Sequence, residues 1–96
     1  MLQIINQIFE IEKKSKEQNI TTFERNIERL YHEFAQLGYT IINPIGSVYD
    51  PRDTSVEYNL IGNPENAVVT KVLKPIIYLE DENQKKIVQK GIVIAE

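Results

Sequence analysis

The fold of this chain is decided at residues 23–42, which read FERNIERLYHEFAQLGYTII. From Phe23 to Leu37 apolar side chains recur every three or four positions, within an arc of about 120° on a helical wheel. Gly38 follows directly, at the position where many helices end in a left-handed residue. Beyond it, residues 39–42 form a short apolar run that is typical of a strand. The sequence therefore predicts a helix that ends at Gly38, with β structure after it.

A further helix is predicted upstream, from Leu2 to about Gln18. Its apolar side chains occupy about 180° of the helical wheel. They are Met1, Leu2, Ile4, Ile5, Ile8, Phe9 and Ile11. The polar residues 13–19 predict a bend, and Thr21 and Glu24 then stand in capping-box register, so we expect Thr21 to cap the next helix. These patterns predict a helical hairpin over residues 1–38.

The wide apolar face of the first helix needs more cover than one neighbouring helix provides. If roughly 300–400 Å² of apolar surface stayed in contact with water, the hydrophobic free energy lost, at about 25 cal/mol per Å², would be on the order of 8–10 kcal/mol. A second copy of the chain would solve this by forming a dimeric four-helix bundle. The alternative is that the β module folds back over the hairpin. The dimer is the preferred hypothesis. Its interface would contain Ile4, Ile5, Ile8, Phe9, Phe23, Ile27, Leu30 and Phe34.

Residues 39–96 are predicted to form a small all-β domain. Short strands are expected at residues 39–42, 56–60, 67–73, 76–79, 87–88 and 91–94. Pro75 interrupts two of them, because proline cannot donate to a strand ladder, and the acidic residues 80–83 are expected at a hairpin tip. Helices followed by strands predict an α+β protein. In it, residues 1–38 would serve dimerisation and residues 39–96 would bind a partner.

The composition argues against several classes of protein. The chain carries 11 Lys and Arg against 14 Asp and Glu, a net charge of −3, whereas nucleic-acid-binding domains usually present a basic face. It contains no cysteine, which excludes disulfides and thiolate metal sites. No apolar run approaches the ~20 residues of a membrane span, and residues 1–4 lack the basic start of a signal peptide. A cytoplasmic protein without nucleic-acid or membrane contacts is expected.

No constellation of residues predicts catalysis. His32 lies opposite the apolar arc of its helix, where it should be exposed and without a nucleophile nearby. Glu80, Asp81 and Glu82 lack the spacing and the central glycine of a calcium loop, so a solvated hairpin tip is the preferred interpretation. The four glycines are isolated, which argues against a phosphate-binding loop. We therefore expect no enzyme, no metal or other cofactor, and no small-molecule substrate.

The turn-rich passage around Tyr49 is the candidate binding loop. Asp50 and Pro51 favour a turn, since proline presets φ and the aspartate side chain can accept from backbone N–H groups ahead of it. A rigid loop that carries an aromatic residue and Arg52 is typical of protein interfaces. An equally good interpretation is that Tyr49 fills the small β core.

Several stretches resemble the GrpE family, the nucleotide exchange factors of Hsp70 (DnaK) chaperones. Residues 2–8 are similar to the end of the family's long stalk helix, where it enters a helical bundle. Residues 23–38, which end in Phe-Ala-Gln-Leu-Gly, are similar to the second bundle helix and its glycine stop. Residues 44–51, Pro-Ile-Gly-Ser-Val-Tyr-Asp-Pro, look like the family's Gly-x-x-Phe-Asp-Pro turn. Residues 69–73 and 92–95 are similar to its remaining strands.

The resemblance implies a homodimeric stress-response cochaperone whose β-domain opens the nucleotide-binding domain of an Hsp70 and releases ADP. By position, it implies Hsp70-binding roles for Ile8, Tyr49, Pro51, Arg52, Val88, Gln89 and Ile92. The sequence departs from the family at Thr54, where a histidine is usual, and around Val88 and Gln89, where an Arg-Pro pair usually contacts Hsp70. The alternative is therefore an adaptor or assembly domain of the same fold, without exchange activity.

Overall fold

The chain begins with two α-helices and continues with six β-strands, in the order that its periodicity predicts. The computed structural model covers residues 1–96. The helices are α1 (Leu2–Glu17) and α2 (Glu24–Gln36). The strands are β1 (Tyr39–Ile42), β2 (Val56–Leu60), β3 (Val69–Lys74), β4 (Ile76–Asp81), β5 (Gln84–Gln89) and β6 (Gly91–Ala95). The α+β class is confirmed. Neither helix is both long and apolar enough to cross a membrane.

Gly38 ends α2 and leads the chain directly into β1. Its φ is +94°, a backbone conformation that residues with a side chain rarely adopt. A Cβ at this position would lie 3.2 Å from the backbone oxygen of Glu80 in β4. The predicted glycine stop is confirmed, and the close approach of β4 gives a second reason for glycine here.

The start of α2 differs from the prediction. Thr21 does not cap the helix with its side chain; Phe23 occupies the N-cap position, and no side-chain hydrogen bond is made there. The backbone N–H of Glu24 donates to the Thr21 carbonyl at 3.3 Å, so a backbone turn replaces the capping box. Asn19 has a φ of +57° and reverses the chain between the helices.

The strands form two three-stranded sheets. The first has the order β1-β4-β5 and is antiparallel throughout. The second has the order β2-β6-β3, in which β6 pairs antiparallel with β3 and parallel with β2. Pro75 is buried between β3 and β4, where the chain passes from the second sheet to the first. The predicted interruption at Pro75 is therefore a corner between sheets.

The β4–β5 hairpin closes at Glu82 and Asn83, whose φ values are +50° and +65°. Two consecutive positive φ values are typical of a type I′ turn, which suits the twist of a two-residue hairpin. The exposed strand β5 forms one edge of the first sheet. Its lysines Lys85 and Lys86 discourage a further strand from pairing there.

Helix α1 packs against both sheets through two hydrophobic clusters. In the strand cluster, Phe9 is buried with strand residues from both sheets, namely Val56, Val69, Val72, Ile76 and Val93. In the helix cluster, Ile5 is buried with Phe34 of α2 and Ile77 of β4. Both clusters contain residues from either side of Gly38, so the hairpin and the strands share one core.

This packing corrects half of the predicted dimer interface. Ile5, Phe9, Ile27 and Phe34 are buried inside one protomer and are not available to a second copy. On α1, the strands cover Ile5 and Phe9, as expected from the alternative hypothesis that the β module folds back over the hairpin. Ile8 is half-buried against the helix cluster.

Both helices of the hairpin also keep exposed apolar side chains. Of the predicted interface residues, Ile4 is 56%, Phe23 is 51% and Leu30 is 39% exposed. Ile11 and Leu37 are exposed as well. These residues are spaced by seven along each helix, so they form one line on each helix surface. We call Ile4, Ile11, Phe23, Leu30 and Leu37 the hairpin stripe.

A candidate partner-binding edge

The loop before β2 is held in shape by its own side chains. Asp50 Oδ1 accepts hydrogen bonds from the Arg52 backbone N–H at 3.0 Å and from Arg52 Nε at 3.2 Å. Asp53 Oδ1 accepts from the Ser55 N–H at 2.9 Å. Pro51 adds a fixed φ between these two turns. The loop therefore presents Pro51 and Arg52 from an ordered backbone.

Arg52 projects from this loop into solvent. Its side chain is 90% exposed although Nε contacts Asp50. Hydrogen bonds from the Arg52 backbone and side chain lower the pKa of the Asp50 carboxyl below its usual value. The lowered pKa means that the charged aspartate is the form that holds the loop, and its hold extends to a pH below the ordinary range of a carboxyl.

Tyr49 joins this loop to the second sheet. Its ring meets the ring of Tyr58 edge to face, with the centroids 4.8 Å apart and the planes at 86°, a favourable arrangement of aromatic rings. Tyr58 in turn packs against the strand cluster, and burial raises the pKa of its hydroxyl. Tyr49 is half-buried, so it anchors the loop on the core and retains some exposed surface.

A second predicted segment, Val88 to Ile92, is joined to the chain just after this loop. The Gly91 N–H donates to the Ser55 carbonyl at 3.0 Å, and Val56 stands opposite Gly91 in the β2–β6 ladder. The turn that Asp53 holds is thereby attached to the first residue of β6. We call residues 49–53 and 88–92 together the contact edge. Six of the seven residues matched to Hsp70 contacts belong to it.

Ile8 is the residue that the structure does not bring to the contact edge. It lies on α1, half-buried against the helix cluster of Ile5, Phe34 and Ile77. That cluster is on the side of β4 that faces the helices. The contact edge, in contrast, is built from the loop before β2 and the β5–β6 junction.

Asn6 is the side chain at this site that the sequence did not single out. Its amide exchanges two hydrogen bonds with the amide of Gln89, at 2.7 Å and 2.9 Å. The partners are 83 residues apart in the sequence. An asparagine on the polar side of an amphipathic helix gives no local signal of such a contact.

A groove of about 280 Å³ lies between α1 and β3. Phe9 and Val72 form its apolar floor, and side chains of both charges surround it. Among them, Lys13 Nζ already contacts Glu10 at 3.1 Å and the Val72 carbonyl at 3.3 Å. This lysine therefore helps to hold α1 on the second sheet.

The titratable side chains are dispersed. His32 is exposed on α2, and no group of three or more His, Asp or Glu side chains is placed to hold a metal ion. The structure presents an ordered loop with an exposed arginine, and the chain just after that loop is bonded to the start of β6. Such an arrangement can bind a protein surface.

Comparison with protein-family models finds no match, and searches of curated proteins and of solved structures find none either.

Proposed function

We propose that this protein is a GrpE-type cochaperone that binds the nucleotide-binding domain of an Hsp70 and promotes ADP release. The observation that carries the proposal is the contact edge. Two segments that match Hsp70-binding parts of the GrpE family by position, far apart in the sequence, are linked by the hydrogen bond from the Gly91 N–H to the carbonyl of Ser55, two residues after Asp53. The order of a helical hairpin and six short strands agrees with the same family resemblance.

Exchange of this kind requires binding and no covalent chemistry. A partner that prefers the open form of a nucleotide-binding domain shifts the population toward that form, and bound ADP leaves. The shift cannot exceed the difference between the affinities for the two forms. An ordered loop such as residues 49–53 suits this task, because little conformational freedom is lost on binding.

The proposal includes a homodimer formed through the hairpin stripe. Ile4 and Ile11 on α1, Leu30 on α2, and Phe23 and Leu37 at the two caps of α2 leave large apolar side chains in solvent. The spacing of seven is the one used at helix–helix seams. A second hairpin packed on this surface would complete a four-helix bundle about a two-fold axis, with the strands of each protomer on the opposite side of α1.

The test is the release of fluorescently labelled ADP from the Hsp70 of the same cell. The chain should accelerate release, and Arg52→Ala combined with Tyr49→Ala should remove most of the acceleration. Arg29→Ala is the matched control, since Arg29 is an exposed arginine on α2 outside the contact edge. Absence of binding to every Hsp70 of that cell would refute the proposal.

One observation favours the second candidate, an adaptor or assembly domain without exchange activity. Where the GrpE family carries an arginine that contacts Hsp70, this chain has Val88 and Gln89, and the Gln89 amide bonds inward to Asn6 and Pro75. That position offers no charged group to a partner. Binding of an Hsp70 or another protein without any change in ADP release would support this candidate.

A further inference from the structure

Gln89 makes three hydrogen bonds that join three parts of the chain. Its Nε2 donates to Asn6 Oδ1 at 2.9 Å and to the Pro75 carbonyl at 2.9 Å. Its Oε1 accepts from Asn6 Nδ2 at 2.7 Å. Both amide donors and the amide oxygen are thus in use. The end of β5 is thereby tied to α1 and to the corner between the two sheets.

A β-bulge aims Gln89 at the helix. Along the β4–β5 ladder, Ile77 stands opposite Gln89 and Tyr78 stands opposite Ile87, so Val88 is an extra residue in β5. Bulges of this kind redirect the side chains beside them. Ile77 is buried with Ile5 of α1, so the bulge sets Gln89 next to a strand position that already touches the helix.

The Asn6–Gln89 pair differs in kind from the other contacts between helices and strands. Those contacts are mostly apolar, in the strand and helix clusters. Apolar burial is non-directional, whereas two reciprocal hydrogen bonds fix the relative direction of both amides. The pair is also the only side chain to side chain hydrogen bond that joins a helix to a strand.

We propose that Gln89 is a positioning residue that sets the contact edge at one orientation relative to the helical hairpin. The effect of this orientation on Hsp70 binding rests on the proposed function. In a bundle of two hairpins, the direction in which each edge points is determined by the join between α1 and its own strands. Gln89 makes that join directional, and it lies within the segment Val88 to Ile92 of the contact edge.

The test compares the wild-type chain with Gln89→Met, which keeps the side-chain length and removes all three hydrogen bonds. Residual dipolar couplings of the backbone amides in α1 and β6 report the angle between these elements. The wild-type couplings should fit one alignment tensor. In Gln89→Met they should require a changed angle or two tensors, while each element remains folded. Couplings that fit the wild-type tensor equally well would overturn the proposal.

Two further variants separate the amide pair from general packing. Asn6→Ala removes the pair from the side of α1, where Asn6 is only partly buried and alanine suits a helix. It serves even if Gln89→Met does not fold, and it should change the angle in the same direction. The exchange of Asn6→Gln with Gln89→Asn keeps two amides and their summed length, and it should restore the wild-type couplings. An exchange variant that behaves like Gln89→Met would overturn the role of the pair.

Binding to the Hsp70 nucleotide-binding domain is measured on the same proteins. Gln89→Met should weaken binding about tenfold, because part of the complex must be oriented during association. The exchange variant should recover most of the affinity. If a variant with altered couplings bound the Hsp70 nucleotide-binding domain with unchanged affinity, the proposed effect of Gln89 on Hsp70 binding would be wrong. If the wild-type chain does not bind, the proposed function fails, while the couplings still decide whether Gln89 is a positioning residue.

Discussion

The backbone N–H of Glu80 donates a hydrogen bond of 2.9 Å to the carbonyl of Gly38. This bond places the end of α2 directly beside β4, so the glycine serves both as the end of a helix and as a site of close backbone approach. Substitution at residue 38 should therefore cost more than substitution at an open glycine.

Gly38→Ala should destabilise the fold by about 2–3 kcal/mol, through backbone strain at positive φ and the crowding of a Cβ against Glu80. Urea unfolding followed by circular dichroism measures the change. Gly46→Ala is the matched control: its φ is +79°, but a Cβ there meets nothing within 4 Å. It should cost only about 1 kcal/mol. Equal losses of unfolding free energy in the two variants would show that crowding against Glu80 does not contribute to the cost at Gly38.

Phe9→Ala should destabilise the whole chain by about 3–5 kcal/mol, because it opens a cavity among residues of both sheets. Hydrogen exchange should show loss of protection in β6 as well as in α1. The comparison variant is Gln3→Ala, an exposed change on the same helix outside the hairpin stripe, for which a change within about 0.5 kcal/mol is expected. Strands that stay protected in Phe9→Ala would mean that the β module folds without α1.

Leu30→Lys should abolish the proposed homodimer without unfolding the protomer, since Leu30 is already exposed within one chain. A lysine in an apolar helix seam would have to lose its hydration on association. Light scattering at micromolar concentration measures the mass in solution. Gln36→Lys, an exposed change on the same helix outside the hairpin stripe, should leave the dimer intact. A wild-type chain that scatters as a monomer would rule out the bundle.

The Asp50 carboxyl should titrate below its ordinary value of 3.8, because Arg52 donates to it from backbone and side chain. A pKa that is lower in the folded state means that the loop is favoured when the carboxylate is charged. Its order should persist above the ordinary pKa and be lost as the pH falls through the folded-state value. Carbon-detected NMR of the Asp50 carboxyl follows this. Arg52→Ala should raise the midpoint part of the way, since the backbone N–H remains.

The elements of this fold could be predicted from local sequence, because each leaves a local signal. The spacing of apolar residues predicted α1 and α2. Gly38 predicted the end of α2, and Pro75 predicted the break between β3 and β4. The capping box failed, since Thr21 and Glu24 satisfy a pattern that a backbone turn can replace. Helix capping is a small energetic preference, and it gives way to the geometry of the bend.

The contacts between elements could not be predicted in the same way. The wide apolar face of α1 was predicted from its sequence, but such a face can be covered either by a second copy of the chain or by the strands. The buried contacts of Ile5 and Phe9 show that the strands cover one side of it. They do not say what covers the side that carries Ile4 and Ile11. The Asn6–Gln89 pair involves neutral residues 83 positions apart. The parallel pairing of β2 with β6 is likewise absent from any local pattern.

The central position of β6 in the second sheet has a consequence for folding during protein synthesis. This strand lies between β2 and β3 and ends at Ala95, so during synthesis both neighbours leave the ribosome before their shared partner exists. The second sheet can close only after β6 has left the ribosome, whereas α1 and α2 can form earlier from local contacts. Nascent chains will therefore pass through a stage with exposed, unpaired strand edges, the stage at which small β proteins are most prone to aggregate.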